Sequence, residues 1–268
     1  MKRIFCLLFA CLFLCGCGFQ VQDQSHALDY SGPTDPSTAE PTVDPVPTNP
    51  YGPLDFGYEG DYMACLAGSY MLGIDCSYWQ GEVDWQQVKD AGIEFVMLRI
   101  GQRGSEQGVL TEDKLVQQYY QGASAVGLKI GGYFFSQAIT PDEAIEEALF
   151  ALDIIKGWEL EMPIVFDWEF LSDTARTANM DARTLTDCTI AFCDTIRSAG
   201  YTPMVYFNRE QARAKLYLEE LLDYKFWLAM YDSSMTYEYR VDMWQYTCTG
   251  SVPGITGDVD LNLYFHYE

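Results

Sequence analysis

The sequence predicts an α/β fold, a TIM-like β/α barrel of about eight strands and five helices. From Gly73 onward, short apolar runs alternate with amphipathic stretches, a pattern typical of βα units around a parallel sheet. The last three apolar runs follow one another across short connections. A closed barrel whose last three strands lack crossover helices accounts for both observations.

Each predicted strand is a short apolar run bounded by polar or turn-forming residues. The strands are predicted near residues 72–77, 94–100, 129–136, 163–169, 203–207, 226–231, 241–247 and 258–263. The helices are predicted at residues 84–91, 113–126, 141–156, 181–199 and 209–222. The third helix has a clear start, because Thr140 can cap it, Pro141 suits its first turn and Glu143 stands three residues after the cap.

The chain begins with a predicted signal peptide, residues 1–16. Two basic residues precede the apolar run Ile4–Leu14, which is too short to cross a bilayer as a mature helix. The run ends in Leu14-Cys15-Gly16-Cys17, which resembles the lipobox of bacterial lipoproteins. We therefore expect Cys17 to carry a lipid that anchors the protein outside the cytoplasm on the cell membrane. Without that lipid the protein would be secreted.

Residues 17–53 are predicted to form a lipidated N-terminus and a spacer. Seven of the eleven prolines lie between Ser31 and Leu54, and such proline-rich polar sequence favours extended conformations. Residues 54–71 form a lead-in segment, and residues 72–268 form the barrel domain.

The composition excludes several classes of function. With 39 acidic and 16 basic residues the net charge is −23, so we expect no nucleic-acid partner. The only histidines are His26 and His266, which makes a histidine-assisted nucleophile or a histidine metal site hard to build. The 19 Tyr, 15 Phe and 6 Trp residues suit a sugar-binding cleft, but large cores and protein interfaces are also aromatic.

The cysteines do not predict a metal site or a disulfide scaffold. Removal of the signal and lipidation of Cys17 would leave Cys65, Cys76, Cys188, Cys193 and Cys248. Their number is odd and no C-x-x-C spacing occurs, so most are predicted to be small core residues. No metal and no cofactor are implied.

Four carboxylates stand at the ends of predicted strands, where β/α barrels gather their active sites. They are Asp75, Asp167, Glu169 and Asp260. Asp167 and Glu169 are two residues apart, so both side chains leave the same face of their strand. Two carboxyl groups crowded in a partly apolar cleft raise one pKa, so that one group holds a proton at neutral pH. Cleavage of a glycosidic bond needs such an acid beside a second carboxylate.

This spacing leaves the stereochemistry and the role of the pair open. Two residues of strand advance about 6.6 Å. That distance falls between the carboxyl separations of roughly 5–5.5 Å and 6.5–9.5 Å of retaining and inverting glycosidases. Acidic residues at strand ends also cap helices or bind arginine, and an isolated D-x-E occurs by chance in many chains.

Ordered segments around these acids resemble the glycoside hydrolase family 25 lysozymes from about residue 72 to the end of the chain. The segments are Gly73-Ile74-Asp75-Cys76-Ser77-Tyr78-Trp79-Gln80-Gly81, Val83-Asp84-Trp85, Phe95-Val96-Met97-Leu98-Arg99, Gly127 to Phe135, Pro163 to Glu169, Pro203-Met204-Val205-Tyr206, Phe226 to Tyr231, Met243-Trp244-Gln245-Tyr246 and Val259-Asp260-Leu261-Asn262. Each piece alone is weak, and the ordered set is specific.

The resemblance implies a peptidoglycan hydrolase that cleaves the β-1,4 bond between N-acetylmuramic acid and N-acetylglucosamine. Glu169 would be the general acid and then the base. Asp167 would orient the substrate's N-acetyl group, whose carbonyl oxygen acts as the internal nucleophile. Asp75 and Asp260 would complete the acidic floor, and the relative importance of Asp75 and Asp167 stays open. The partner would be the peptidoglycan glycan strand, bound by a monomer.

We also expect six residues to bind the sugar. They are Tyr133, Tyr206, Tyr231 and Trp244 as cleft walls, and Arg99 and Gln245 as hydrogen-bonding or charge-pairing groups. Each could instead pack in the core, and Arg99 could simply pair with Asp75 or Asp167. Trp79 and Trp85 are predicted to be core residues.

Two alternatives remain at this stage. The first is a catalytically inactive wall-binding protein that keeps the barrel. Such a protein would tolerate loss of the four acids, so their presence favours the enzyme. A chitinase-like hydrolase also uses an acid at the end of the fourth strand, but its longer series of alternating aspartates is absent before Glu169.

Overall fold

A closed β-barrel surrounded by helices forms the body of the computed structural model, which describes residues 45–267. The predicted signal peptide, Cys17 and most of the predicted spacer lie outside the described residues. Within residues 45–267 no helix has the length and apolar character needed to span a bilayer.

The elements follow the predicted order closely. The strands are β1 (Phe56–Glu59), β2 (Tyr62–Cys65), β3 (Ser69–Cys76), β4 (Phe95–Arg103), β5 (Leu110–Glu112), β6 (Lys129–Ser136), β7 (Ile164–Trp168), β8 (Pro203–Asn208), β9 (Lys225–Ala229), β10 (Met243–Gly250) and β11 (Val259–His266). The α-helices are α1 (Trp85–Asp90), α2 (Val116–Ala125), α3 (Pro141–Ile154), α4 (Ala182–Ser198) and α5 (Arg209–Ala214). Short 3₁₀ turns lie at Pro53–Asp55, Tyr78–Gln80 and Leu218–Glu220.

Eight of these strands close the barrel. Their order around the ring is β3, β4, β6, β7, β8, β9, β10 and β11, which pairs back with β3. The strands from β3 to β10 pair in parallel, and β11 is antiparallel to both of its neighbours. No α-helix among the described residues follows β9, β10 or β11. The predicted barrel, with three final strands that lack crossover helices, is therefore confirmed.

Side chains alternate between the barrel interior and an outer layer. Along β7, Phe166 and Trp168 belong to the outer core under the helices, whereas Val165 belongs to the interior cluster. That alternation is the ordinary consequence of the two-residue repeat of a strand. It directs Asp167 into the barrel.

The lead-in segment contains a hairpin that the sequence did not predict. β1 and β2 pair antiparallel, and Phe56 packs 5.1 Å from Trp244 and 6.0 Å from Phe265, measured between ring centroids. The backbone N–H of Met63 donates to the Tyr246 hydroxyl at 3.4 Å. The hairpin therefore covers the outer face of β10 and β11, where no crossover helix is available to do so.

The end of the predicted spacer also lies against the barrel. The Asn49 N–H donates to the Glu238 carbonyl at 2.9 Å, and the Arg240 N–H donates to the Pro47 carbonyl at 2.7 Å. Tyr51 packs 5.4 Å from Phe265. The segment from residue 47 to residue 51 is thus part of the packed body of the protein.

The thiols of Cys65, Cys76, Cys188 and Cys193 are buried, as expected for small core residues.

Candidate active site

Four carboxylates meet at one end of the barrel. Asp75 and Asp167 lie near the C-terminal ends of β3 and β7, and Glu169 follows β7 directly. Asp260 is the second residue of β11, and it lies directly opposite Asp75 because β11 runs antiparallel to β3. Reversal of this one strand therefore brings its start to the rim where the other strands end.

These acids line a cavity of about 210 Å³. Its lining residues are Asp75, Ser77, Trp79, Arg99, Tyr133, Phe135, Asp167, Glu169, Tyr206, Trp227, Tyr231, Gln245 and Asp260. Asp167 and Glu169 both face this cavity, in agreement with their two-residue spacing. Asp167 is buried and Glu169 is half-buried.

Loss of water raises the pKa of every one of these acids. Burial raises the pKa of Asp75 to about 6, less than for its neighbours because Gln245 Nε2 and Asn262 Nδ2 each donate to its Oδ2 at 2.8 Å. Burial, with the negative charge of Asp75, raises the pKa of Glu169 to about 7.

The other two acids are held more strongly in the protonated form. Burial, with the charges of Asp75 and Glu169, raises the pKa of Asp260 to about 9. Burial, with the charge of Glu169, raises the pKa of Asp167 well above its usual range. Asp167 Oδ1 is also buried without a hydrogen-bond partner among the described residues.

This pattern separates the roles that the acids can take. Near neutral pH Asp75 is the most readily ionised of the four, while Glu169, with a pKa of about 7, is still protonated in part of the molecules. A proton donor beside an ionised carboxylate suits general acid catalysis with a positively charged transition state. Among residues 45–267 no three His, Cys, Asp or Glu side chains are grouped as ligands for a metal ion.

Arg99 lines the cavity but pairs with a residue that the sequence did not single out. Its Nε and Nη2 donate to Asp113 Oδ2 at 3.0 and 2.8 Å, and both side chains are buried. The alternative in which Arg99 pairs with Asp75 or Asp167 is therefore not what the structure shows, although the charge of Arg99 still acts to lower the pKa of Asp167. Asp113 directly follows the short strand β5 and precedes α2. The sequence did not predict β5 and placed residue 113 at the start of a helix, so Asp113 was not recognised as an acid at a strand end.

Gln245 connects two tyrosines to the acidic floor. Its Oε1 accepts from the hydroxyls of Tyr206 at 3.0 Å and Tyr231 at 2.9 Å, while its Nε2 donates to Asp75. Tyr133 lies beside them in the cavity wall. Tyr231 is 55% exposed, which leaves its ring open to a ligand at the rim.

Trp244 does not line the cavity, which corrects its expected place as a cleft wall. It is fully buried on the outer face of β10, where its Nε1 donates to the Met230 carbonyl at 2.7 Å. The physical reason is strand alternation, because Gln245 points inward and its neighbour must point outward. Two other tryptophans line the cavity, Trp79 and Trp227, and Trp227 Nε1 donates to Asn262 Oδ1 at 2.9 Å.

Trp79 was predicted to be a core residue, and that prediction is wrong. The side chain is 68% exposed, lines the cavity and lies 4.5 Å from the Tyr78 ring, measured between centroids. Trp79 sits in a 3₁₀ turn that Ser77 and Gln80 cap reciprocally, a spacing that could have been recognised as a turn. Trp85, by contrast, is buried in the outer core as predicted.

Comparisons with known proteins point to one family. A family model described as glycosyl hydrolases family 25 matches residues 74–255. The chain is 28% identical over 193 residues to the autolytic lysozyme of Clostridium acetobutylicum, covering 72% of this chain and 55% of that protein. It is 28% identical over 223 residues to lysozyme M1 of Streptomyces globisporus, covering 73% of this chain and 68% of that protein.

A solved structure agrees with these sequence relatives. The modular autolysin LytC of Streptococcus pneumoniae is 27% identical, with a TM-score of 0.64 over 73% of this chain and 47% of that chain. LytC has also been solved in complex with a synthetic peptidoglycan ligand. The present chain thus spans about half the length of LytC and of the clostridial lysozyme.

The raised pKa values predict that the protein loses stability as the pH rises. A carboxyl group whose pKa is higher in the folded than in the unfolded protein contributes its full stabilisation below its unfolded-state pKa, near pH 4. That contribution is lost as the pH rises through the folded-state pKa. For Asp260 this loss of stability continues up to about pH 9. Asp260→Asn should therefore flatten the pH dependence and raise the free energy of unfolding at pH 8 by on the order of 1–3 kcal/mol.

Urea unfolding of the wild type and the variant at pH 5 and pH 8 measures this difference. Asp153→Asn, which removes an exposed carboxylate of α3, serves as the control and should keep the wild-type dependence. An Asp260→Asn variant with the same loss of stability between pH 5 and pH 8 as the wild type would contradict the prediction.

Proposed function

Because the chain belongs to glycosyl hydrolase family 25, we propose that it is a lysozyme that cleaves the β-1,4 bond between N-acetylmuramic acid and N-acetylglucosamine in peptidoglycan. The observation that carries this proposal is the cavity at the barrel end, where Glu169 holds a proton near neutral pH beside the more acidic Asp75. The lysozyme relatives and the peptidoglycan complex of LytC support the choice of substrate.

Glu169 acts first as the general acid. It donates its proton to the glycosidic oxygen as the bond from the anomeric carbon to that oxygen breaks. The N-acetyl carbonyl oxygen of the same sugar forms a bond to the anomeric carbon, as in substrate-assisted glycosidases. Glu169, now ionised, then accepts a proton from the water that attacks the anomeric carbon and opens the cyclic intermediate.

Asp167 orients the N-acetyl group. Its buried Oδ1 has no hydrogen-bond partner among the described residues, and such an atom is costly to leave unpaired. The amide N–H of the substrate supplies the missing donor and favours the ionised form of Asp167. This contact turns the N-acetyl carbonyl toward the anomeric carbon.

Asp75 supplies negative charge for the positive centre that develops on the sugar. The amide groups of Gln245 and Asn262 hold one of its oxygens, so its position is fixed before substrate arrives. Asp260 retains its proton at neutral pH and can donate a hydrogen bond. The exposed rings of Trp79 and Tyr231 offer apolar faces to the sugar at the rim.

Glu169→Gln tests the acid directly. The variant keeps the shape of the side chain but cannot transfer a proton, so release of glycan fragments from purified peptidoglycan should fall by roughly 100- to 10,000-fold. Mass spectrometry of the fragments should find new reducing ends on muramic acid for the wild type.

The matched control is Glu159→Gln, which changes an exposed glutamate before β7 and should retain full activity. Equal release by the wild type and Glu169→Gln would show that Glu169 is not the acid. No release by the wild type would contradict hydrolysis and favour simple wall binding.

The pH profile tests the link between Asp75 and Glu169. Because the general acid must be protonated, kcat/KM should fall as the pH rises through about 7. Asp75→Asn removes a negative charge that raises the pKa of Glu169, so the alkaline limb should move to lower pH by roughly one unit. The control Asp153→Asn should leave the alkaline limb in place. An alkaline limb that also stays in place in Asp75→Asn would refute this coupling.

We also propose that a lipid on Cys17 holds the enzyme at the outer surface of the cell membrane. The proposal rests on the Leu14-Cys15-Gly16-Cys17 sequence after an apolar run. Cys17→Ala should shift the protein from the membrane fraction to the soluble fraction on cell fractionation, since a lipid chain contributes about 0.8 kcal/mol per buried methylene. Cys65→Ala is the control, and equal membrane association of wild type and Cys17→Ala would refute lipidation.

A further inference from the structure

Glu169 lies just beyond the regular sheet. β7 ends at Trp168, which pairs with Ser136 of β6, and the pairing with β8 ends one residue earlier at Asp167. The Glu169 carboxyl group has no hydrogen bond to another described residue. Gln211 Nε2 donates to the Trp168 carbonyl at 2.8 Å, so the chain is held up to that residue. Neither strand pairing nor a hydrogen bond of its own carboxyl group fixes Glu169.

Gln137 supplies that missing support. It follows β6 directly and its side chain is fully buried. Its Nε2 donates to the Glu169 carbonyl at 3.2 Å and to the Ser136 carbonyl at 2.8 Å. The side-chain amide thus continues the pairing of β6 with β7 by one residue, at the position where backbone pairing stops.

We propose that Gln137 is a positioning residue that holds the backbone of Glu169 so that its carboxyl group points into the cavity. The effect of Gln137 on turnover rests on the proposed function, whereas its effect on the position of Glu169 rests on geometry alone.

A hydrogen bond from Thr177 fixes the orientation of the Gln137 side-chain amide. The Thr177 hydroxyl donates to Gln137 Oε1 at 2.7 Å, so the Nε2 side must face the two carbonyl groups. Arg176 Nη1 donates to the Gln137 backbone carbonyl at 3.1 Å, and the Gln137 N–H donates to Glu147 Oε1 at 3.3 Å. Every polar group of Gln137 therefore has a partner, which is how a buried amide keeps one orientation.

The same contacts tie down the loop that follows Glu169. Arg176 forms two hydrogen bonds with Glu143 of α3, at 2.9 and 2.7 Å, and so connects the loop to that helix. Residues on both sides of Glu169 in the chain are thereby anchored, β7 by the sheet and residues 176–177 by Gln137 and Glu143. Glu169 is held between two fixed points and Gln137 contacts it directly.

Gln137→Met tests this role, because methionine fills a similar volume without a donor for the Glu169 carbonyl. A loosened Glu169 moves toward water and away from Asp75, so both causes of its raised pKa weaken. Its pKa, measured by NMR titration of the ¹³C-labelled glutamate carboxyl groups and assigned with Glu169→Gln, should fall by at least roughly half a unit. On soluble peptidoglycan fragments kcat should fall by about 10- to 100-fold, while KM stays within about twofold.

Thr186→Val is the matched control. The Thr186 side chain is also fully buried, and its Oγ1 accepts from the Tyr217 N–H at 3.1 Å, away from the cavity. Loss of that hydrogen bond should lower the melting temperature while the pKa of Glu169 and kcat stay as in the wild type. If Gln137→Met does not fold, Thr177→Val removes the bond that orients the amide and should shift the pKa of Glu169 in the same direction.

The outcomes separate this inference from the proposed function. A Gln137→Met protein that loses thermal stability but keeps the wild-type pKa of Glu169 would overturn the positioning role. A wild-type protein that releases no fragments would overturn the proposed function, and the titration of Glu169 would still decide the role of Gln137.

Discussion

Four carboxyl groups share one partly enclosed cavity, and their removal from water disfavours the charged form of each. The barrel gives the four carboxyl groups different hydrogen-bond partners and different neighbouring charges. Asp75 receives two side-chain amide donors and is the most acidic, while the pKa of Asp167, whose Oδ1 has no hydrogen-bond partner among the described residues, is raised well above its usual range. The chemistry that we propose depends on these differences, because four equivalent acids could not divide the tasks of donating a proton and stabilising charge.

The topology of the last strand decides which residues can take part. In an all-parallel barrel each strand delivers its C-terminal end to the active rim. β11 is antiparallel to both neighbours and delivers its N-terminal end, so Asp260 meets Asp75 across a strand pair. Gln137 similarly extends β6 beyond the end of its backbone pairing. Two contributions to the site, those of Asp260 and Gln137, therefore come from positions where the regular parallel barrel is interrupted.

The strands, the barrel and the acids could be predicted because each depends on local pattern. An apolar run followed by an acid identifies a strand end, and the two-residue repeat places Asp167 and Glu169 on one face. The same repeat excludes Trp244 and Gln245 from sharing a face, and its consistent use would have removed Trp244 from the cleft. Asp113 and the β1–β2 hairpin could not be predicted this way, because their roles depend on contacts with residues distant in the chain.

The β1–β2 hairpin has a consequence for how the molecule assembles. It precedes the barrel in the sequence, yet it covers the last two strands, and the hydrogen bond between Met63 and Tyr246 joins residues 183 positions apart. Contacts this distant in sequence slow folding, because a long loop must close before they form. Phe56 and Trp244 therefore cannot pack against each other until the last strands have formed. Until β10 is in place, the apolar side of the hairpin is exposed, and exposed apolar surface of this kind promotes aggregation.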